Sequence, residues 1–149
     1  MIDKSIKAFI LDQSETFVKK AEDVAVLYAE HNLSHAKLLL SQYQYTRVPV
    51  LNEAKAYVGV IGLTDIVNYE MMHENASDVK ISEVVNKEVP TLQANFTLEE
   101  ILNLLVKEPF IPILQGETFK GIVVRQEILK AFNAFAHDFT KKYEINERN

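Results

Sequence analysis

The chain has 149 residues and a mass of 17.0 kDa, 48% hydrophobic and 25% charged, which suits one globular domain or two small repeats and leaves no room for a large multidomain enzyme. It contains no cysteine, which excludes a disulfide scaffold, thiolate metal sites and thiol catalysis and is compatible with a reducing cytoplasm. A net charge of −5 and a pI near 5.4 repel polyphosphates at long range, so no nucleic-acid partner is expected and an anionic ligand must be held by a local cluster.

The N-terminus, Met1-Ile-Asp-Lys-Ser-Ile-Lys, is polar where a signal peptide would be apolar, and no window approaches the roughly 18 apolar residues of a spanning helix. A cytoplasmic protein without membrane contact is therefore expected. Residues 1–18 are predicted to form an N-terminal helix, with Ile6, Phe9, Ile10 and Phe17 near helical spacing. Val24-Ala25-Val26 reads as a short strand, followed by a helix N-capped by Ser34. Within Arg47-Val-Pro-Val-Leu51, Val48-Pro-Val-Leu is a short β-branched run whose proline restricts it to a strand start or a sheet edge. A turn at Asn52-Glu53 leads to a strand containing Gly59, then to a helix through Ile66.

The same series then recurs. Val89-Pro90-Thr91 is a short strand; Thr97 and Glu100 form a capping box before Ile101, Leu102, Leu105 and Val106; Phe110-Ile-Pro-Ile-Leu114 and the Gly121 strand follow. Asn32 to Pro49 and Asn95 to Pro112 are both 17 residues apart, which indicates duplication. Each repeat of about 45 to 50 residues is too small to close its own core, so the two must pack together. After Gln126, an apolar stripe through Ile128, Leu129, Phe132, Phe135, Phe139 and Tyr143 either caps the chain's own core or serves a dimer. The last residues, Asn146 to Asn149, are a polar tail expected to fray.

Two tandem units of strand, helix, h-Pro-h strand, Gly-h-h strand and helix, over roughly residues 16 to 132, resemble a pair of cystathionine-β-synthase (CBS) domains, a Bateman module. The resemblance implies an α/β (α+β) fold: two pseudo-symmetric β-α-β-β-α repeats at 19–75 and 76–132, the N-terminal helix at 1–18, and a C-terminal helix extension and tail at 133–149. Asn32-Leu-Ser-His-Ala, the run Tyr45-Thr46-Arg47-Val48-Pro49-Val50-Leu51, the short N-terminal helix and the lack of an attached enzyme or transporter domain are similar to stand-alone CBS proteins of the cyclic di-AMP-binding CbpB/DarB type. That likeness implies a homodimer without cofactor, bound to cyclic di-AMP or alternatively AMP or ATP. It also implies a partner enzyme such as a guanosine tetraphosphate synthetase or pyruvate carboxylase.

In CBS pairs each cleft joins the leading and h-Pro-h strands of one repeat to the Gly-h-h strand and next helix of the other. The first cleft would then comprise Val24, Ala25, Tyr45, Thr46, Arg47 and Pro49 with Ile122, Val124, Arg125, Gln126 and Glu127. Such a cleft offers small apolar residues for adenine, extended main chain for its edge and Tyr45 for stacking. Arg47 and Arg125, the only arginines besides Arg148, either hold phosphate through their planar forks or form surface ion pairs. Asp23, Val124 and Gln126 depart from the family pattern, standing where a basic, a hydroxyl and a second arginine residue are expected. The second cleft would comprise Val89, Pro90, Thr91, Phe110, Ile111 and Pro112 with Ile61, Gly62, Thr64 and Asp65. There Thr64 and Asp65 either bind phosphate and ribose of a mononucleotide or cap a helix.

No glycine-rich phosphate loop, dinucleotide fingerprint or nucleophile–base set occurs, so no catalytic residue and no enzyme activity are expected. His31, His35, His73 and His137 are scattered; His31 precedes the helix and is not expected to share a face with His35, and no metal site is expected. The Lys19-Lys20 and Lys141-Lys142 pairs read as solvated. The expectation is a non-enzymatic regulatory protein signalling nucleotide occupancy to a partner, with an AMP/ATP sensor or a ligand-free interaction module as alternatives.

Overall fold

In each repeat the proline-bearing run and the glycine-bearing run that follows fold as an antiparallel pair, and everything else is arranged around it. The computed structural model describes residues 1–12, 17–43 and 45–149. The elements are α1 (Lys4–Asp12), β1 (Val18–Lys20), β2 (Leu27–Tyr28), α2 (Leu33–Tyr43), β3 (Arg47–Leu51), β4 (Tyr57–Gly62), α3 (Leu63–Met72), β5 (Leu92–Gln93), α4 (Leu98–Leu105), β6 (Phe110–Gln115), β7 (Thr118–Val124) and α5 (Arg125–Lys142). They form a three-stranded sheet in the order β2-β3-β4 and a four-stranded sheet in the order β1-β7-β6-β5. The duplication is visible in the register: β2 pairs in parallel with β3 (Leu27↔Val50) and β5 with β6 (Leu92↔Ile113), and the antiparallel pairs shift register at Val50/Leu51 and at Ile113/Leu114.

Both prolines lie in strands flanked on two sides, not at a strand start or sheet edge as predicted. The reason lies in how the neighbouring strands pair. Val60, opposite Pro49, spends its N–H and C=O on Asn86 (3.0 and 2.8 Å), so this pair exchanges no ladder bonds and the missing proline N–H breaks none. On its other side β3 meets β2 only from Val50 onward.

Further boundaries differ from the sequence reading. Residues 24–26 and 89–91 precede the leading strands, which begin at Leu27 and Leu92. The predicted helix 1–18 is helical over Lys4–Asp12, residues 13–16 lie outside the described residues, and Val18 opens β1. Helix α2 is capped not by Ser34 but by Asn32, whose Oδ1 accepts from the His35 N–H at 3.1 Å and from the Ser34 hydroxyl at 2.7 Å. Thr97 caps α4 as predicted, its Oγ1 accepting from the Glu100 N–H at 3.2 Å while Glu100 accepts from the Thr97 N–H at 3.1 Å.

The repeats are interleaved. β1 pairs with β7 (Lys19↔Ile122), and α1 buries Ile10 in the core formed by Ile101, Ile111 and Val123, so the N-terminal segment completes the second half. Conversely, Lys80 and Asn86 bridge to Asn32 and Val60 of the first half. Gly59 and Gly121 permit these crossings: a Cβ on Gly59 would stand 2.5 Å from the Asn86 carbonyl oxygen, and one on Gly121, at φ +145°, would overlap the Lys19 carbonyl. The α5 stripe packs edge-on against Phe9 of α1, with Phe135 and Phe139 at 5.9 and 5.8 Å, so much of it is covered within the chain. A third cluster, Leu51, Leu114, Phe119 and Ile122 with Tyr57 and Phe110 packed against it, joins the halves.

Candidate nucleotide-binding cleft

The stagger between β2 and β3 creates the site. Strand alternation directs the main-chain N–H and C=O of Arg47 to the side where β2 has not yet begun. Val24 and Ala25 lie beside that gap, and β7 closes it from the other half. The result is a cavity of about 400 Å³ lined by Lys19, Val24, Ala25, Tyr45, Thr46, Arg47, Val48, Pro49, Pro109, Phe110, Ile122, Val124 and Gln126. Of the first predicted set, Val24, Ala25, Tyr45, Thr46, Arg47, Pro49, Ile122, Val124 and Gln126 share this wall. Arg125 and Glu127 do not: the Arg125 Nε–H donates to the Leu105 carbonyl at 2.8 Å, closing the C-terminal end of α4, and Glu127 pairs with Lys130 at 3.2 Å. Asp23 lies in a short 3-10 turn ahead of the cavity and is exposed.

Sequence reading missed Lys19, Val48 and Pro109, and placed Phe110 in the other cleft. Lys19 reaches the wall because β1 is stitched to β7, a contact between residues about a hundred positions apart that leaves no local signal. The cavity therefore carries two cations, Lys19 and Arg47. Arg47 is engaged: its Nη1 lies 3.2 Å from Oε2 of Glu108, and the side chains are 30% and 24% exposed. Tyr45, at the rim, is 43% exposed and stacks on Tyr43 at 6.1 Å.

The residues of the second predicted set are differently occupied. Asp65 Oδ2 accepts from the Gly62 N–H at 2.8 Å, fixing the first turn of α3, while Thr64 is exposed. Ile111 and Pro112 are buried in β6; Pro90 and Thr91 are half-buried ahead of β5. Matching Pro49 to Pro112 and Gly59 to Gly121 puts Glu108 where the first cleft has Tyr45, Phe110 where it has Arg47, and Asn86 where it has Lys19. By this matching the second cleft has a phenyl ring and an amide in place of the two cations, and its carboxylate, Glu108, is already paired with Arg47.

Behind Arg47, Tyr57 stacks on Phe119 at 6.4 Å, and its buried hydroxyl has no hydrogen-bond partner among the described residues. Burial pushes this phenol up to about 12, opposed by the positive charge of Arg47. His31 and His35, predicted to face apart, are in edge-on contact at 4.9 Å, because the turn donating the His31 N–H to the Tyr28 carbonyl folds His31 back onto the helix start. Among the described residues no three metal-ligating side chains gather and no helix is long and apolar enough to cross a membrane.

The CBS-domain family profile matches residues 18–71 and 81–134. Cyclic di-AMP receptor B of Bacillus subtilis (strain 168) is 28% identical over 131 residues, covering 84% of this chain and 89% of that protein. The crystal structure of CbpB from Streptococcus agalactiae matches with a TM-score of 0.92 at 35% identity, over 99% of this chain and 96% of that one. A CbpB crystallised in complex with c-di-AMP matches with a TM-score of 0.84, also at 35% identity, over 94% and 97% of the two chains. The fold anticipated from the repeat, a mixed α/β tandem pair, is the fold of these CbpB structures.

Proposed function

The chain belongs to the CBS-domain family, and on that premise we propose that it is a cytoplasmic receptor that binds cyclic di-AMP between its repeats and passes the signal to a partner protein. The observation that carries the reading is the 400 Å³ cavity, where two cations and an unpaired strand edge meet an apolar wall. Val24, Ala25, Pro49 and Ile122 suit a purine face, and the free N–H and C=O of Arg47 suit its hydrogen-bonding edge. Lys19 and Arg47 suit phosphate, Arg47 through a planar fork and Lys19 as a point charge. Tyr45 at the rim is placed to stack a second base. The relatives named above, one a cyclic di-AMP receptor and one crystallised with that nucleotide, support the same ligand.

Homodimerisation belongs to the proposal. Leu38 on α2, Val67 and Met71 on α3 and Leu129 on α5 are large apolar side chains left exposed on helices, and a second copy would cover such faces. Ligand would alter signalling only through its differential affinity for two arrangements of the repeats.

Calorimetric titration of the protein with cyclic di-AMP, AMP, ATP and cyclic di-GMP tests the reading. Saturable heat from cyclic di-AMP near one molecule per chain is expected, weakened on the order of tenfold or more by Arg47→Gln, in line with about 1.5–3 kcal/mol for a hydrogen bond to a charged group. Silence with cyclic di-AMP and heat from AMP or ATP would overturn it in favour of an energy sensor.

A further inference from the structure

The Arg47–Glu108 pair joins the two repeats across 61 residues of sequence. Glu108 belongs to a stiffened connection: its N–H donates to the Leu104 carbonyl at 3.1 Å, and the next carbonyl, that of Pro109, accepts from the Arg125 N–H at 2.9 Å. The Arg125 guanidinium fastens the same connection through the Leu105 carbonyl at 2.8 Å. Arg47 projects from β3 on a long side chain whose tip can turn. Both residues stand on fixed backbone, and the contact between them is made by side chains alone.

This matters for any anion entering the cavity. Lys19 and Arg47 are the cations on its wall, and Glu108 neutralises one of them at 3.2 Å. A phosphate that needs the Arg47 fork must compete with a carboxylate already in place, and the half-buried setting strengthens both attractions and the repulsion between the two anions.

We propose that Glu108 is an affinity-setting residue that occupies Arg47 in the ligand-free protein and surrenders it to a ligand phosphate. This rests on the receptor reading above and adds the exchange of partners at Arg47. Two consequences follow. Neutral adenosine, with no phosphate to offer, leaves the pair intact, so the pair favours phosphate-bearing ligands by what they alone can displace. Each binding event also breaks an ion pair between the repeats, which links occupancy of the cavity to the joint between the two halves.

The test is a double-mutant cycle by calorimetry on the full chain, with wild type, Glu108→Gln, Arg47→Gln and the double variant, using cyclic di-AMP and adenosine as probes. Glu108→Gln is expected to tighten cyclic di-AMP binding several-fold, up to about tenfold, to do nothing in the Arg47→Gln background, and to leave adenosine unaffected. Equal tightening in the Arg47→Gln background would show a through-space field effect and overturn the exchange; so would unchanged or weaker binding by Glu108→Gln. If Arg47→Gln binds too weakly to titrate, the guanidinium ¹⁵N resonance of Arg47 decides. It is expected to shift on Glu108→Gln without ligand and on adding cyclic di-AMP to wild type, and constancy in either case overturns the proposal. Absence of cyclic di-AMP binding by wild type and Glu108→Gln alike would instead bring down the receptor reading, and the exchange with it.

Discussion

Tyr57 is the residue whose chemistry fits its surroundings least well. Its ring packs on Phe119 between the repeats while its buried hydroxyl has no partner among the described residues, so the protein bears a desolvation cost that phenylalanine would not. Tyr57→Phe is expected to raise stability by about 1 kcal/mol in urea unfolding; a loss of stability would mean that the hydroxyl is satisfied in solution. Ionisation gives a second readout. The phenol, near 10.0 in the unfolded chain, rises to about 12 in the fold, chiefly through burial. Between those values the unfolded state releases its proton first, so the stabilising contribution is complete below pH 10 and disappears as pH rises toward 12. Wild type should lose stability more steeply than Tyr57→Phe across that window. Of the chain's three arginines, Arg47, in a proline strand, lies on the cavity wall. Rarity alone did not place Arg125, because the carbonyl to which it donates belongs to a helix end twenty residues away.

At the scale of elements, one capping pattern read correctly and the other did not, and features that depend on a partner strand were misplaced. The Thr97–Glu100 box forms as its spacing demands. The equivalent helix in the first repeat starts earlier: α2 runs for 11 residues against 8 for α4, and Asn32, corresponding to Asn95, takes over the cap that Ser34 would have supplied. Asn32→Ala is therefore expected to cost about 1 kcal/mol, and Ser34→Ala distinctly less, both read from denaturant midpoints. The reverse ranking would restore Ser34 as the cap. Leading strands of two residues carry almost no pattern of their own, so they were placed about three residues early; their position is fixed by pairing with Val50 and Ile113. The proline strands misled for a related reason. A proline removes one N–H on one side of a strand, and whether that matters depends on where the neighbouring strand begins, which is a property of the sheet.

The whole molecule is two repeats that each complete the other, with strand pairings and core contacts that cross residue 75. β1 and α1 lie in the second half, residues 80–86 bridge to the first, and the Leu51–Phe119 cluster joins both. Neither half has a closed core or a filled sheet alone, so the pair should unfold as one unit. The cleft depends on this coupling, since Lys19, Arg47 and Ile122 reach its wall only when the N-terminal segment and both sheets are in place. Ile10, fully buried on α1, is a sensitive probe of it. Ile10→Ala should lower global stability by about 2–5 kcal/mol. If the halves are coupled, hydrogen exchange of the slowest amides in β3 and β4 should accelerate as much as in β6 and β7, although Ile10 touches only the second core. Acceleration confined to β6 and β7 would show that the first repeat stays folded on its own. The interleaved strands would then be a docking contact, and ligand binding would order the joint between two independent folding units.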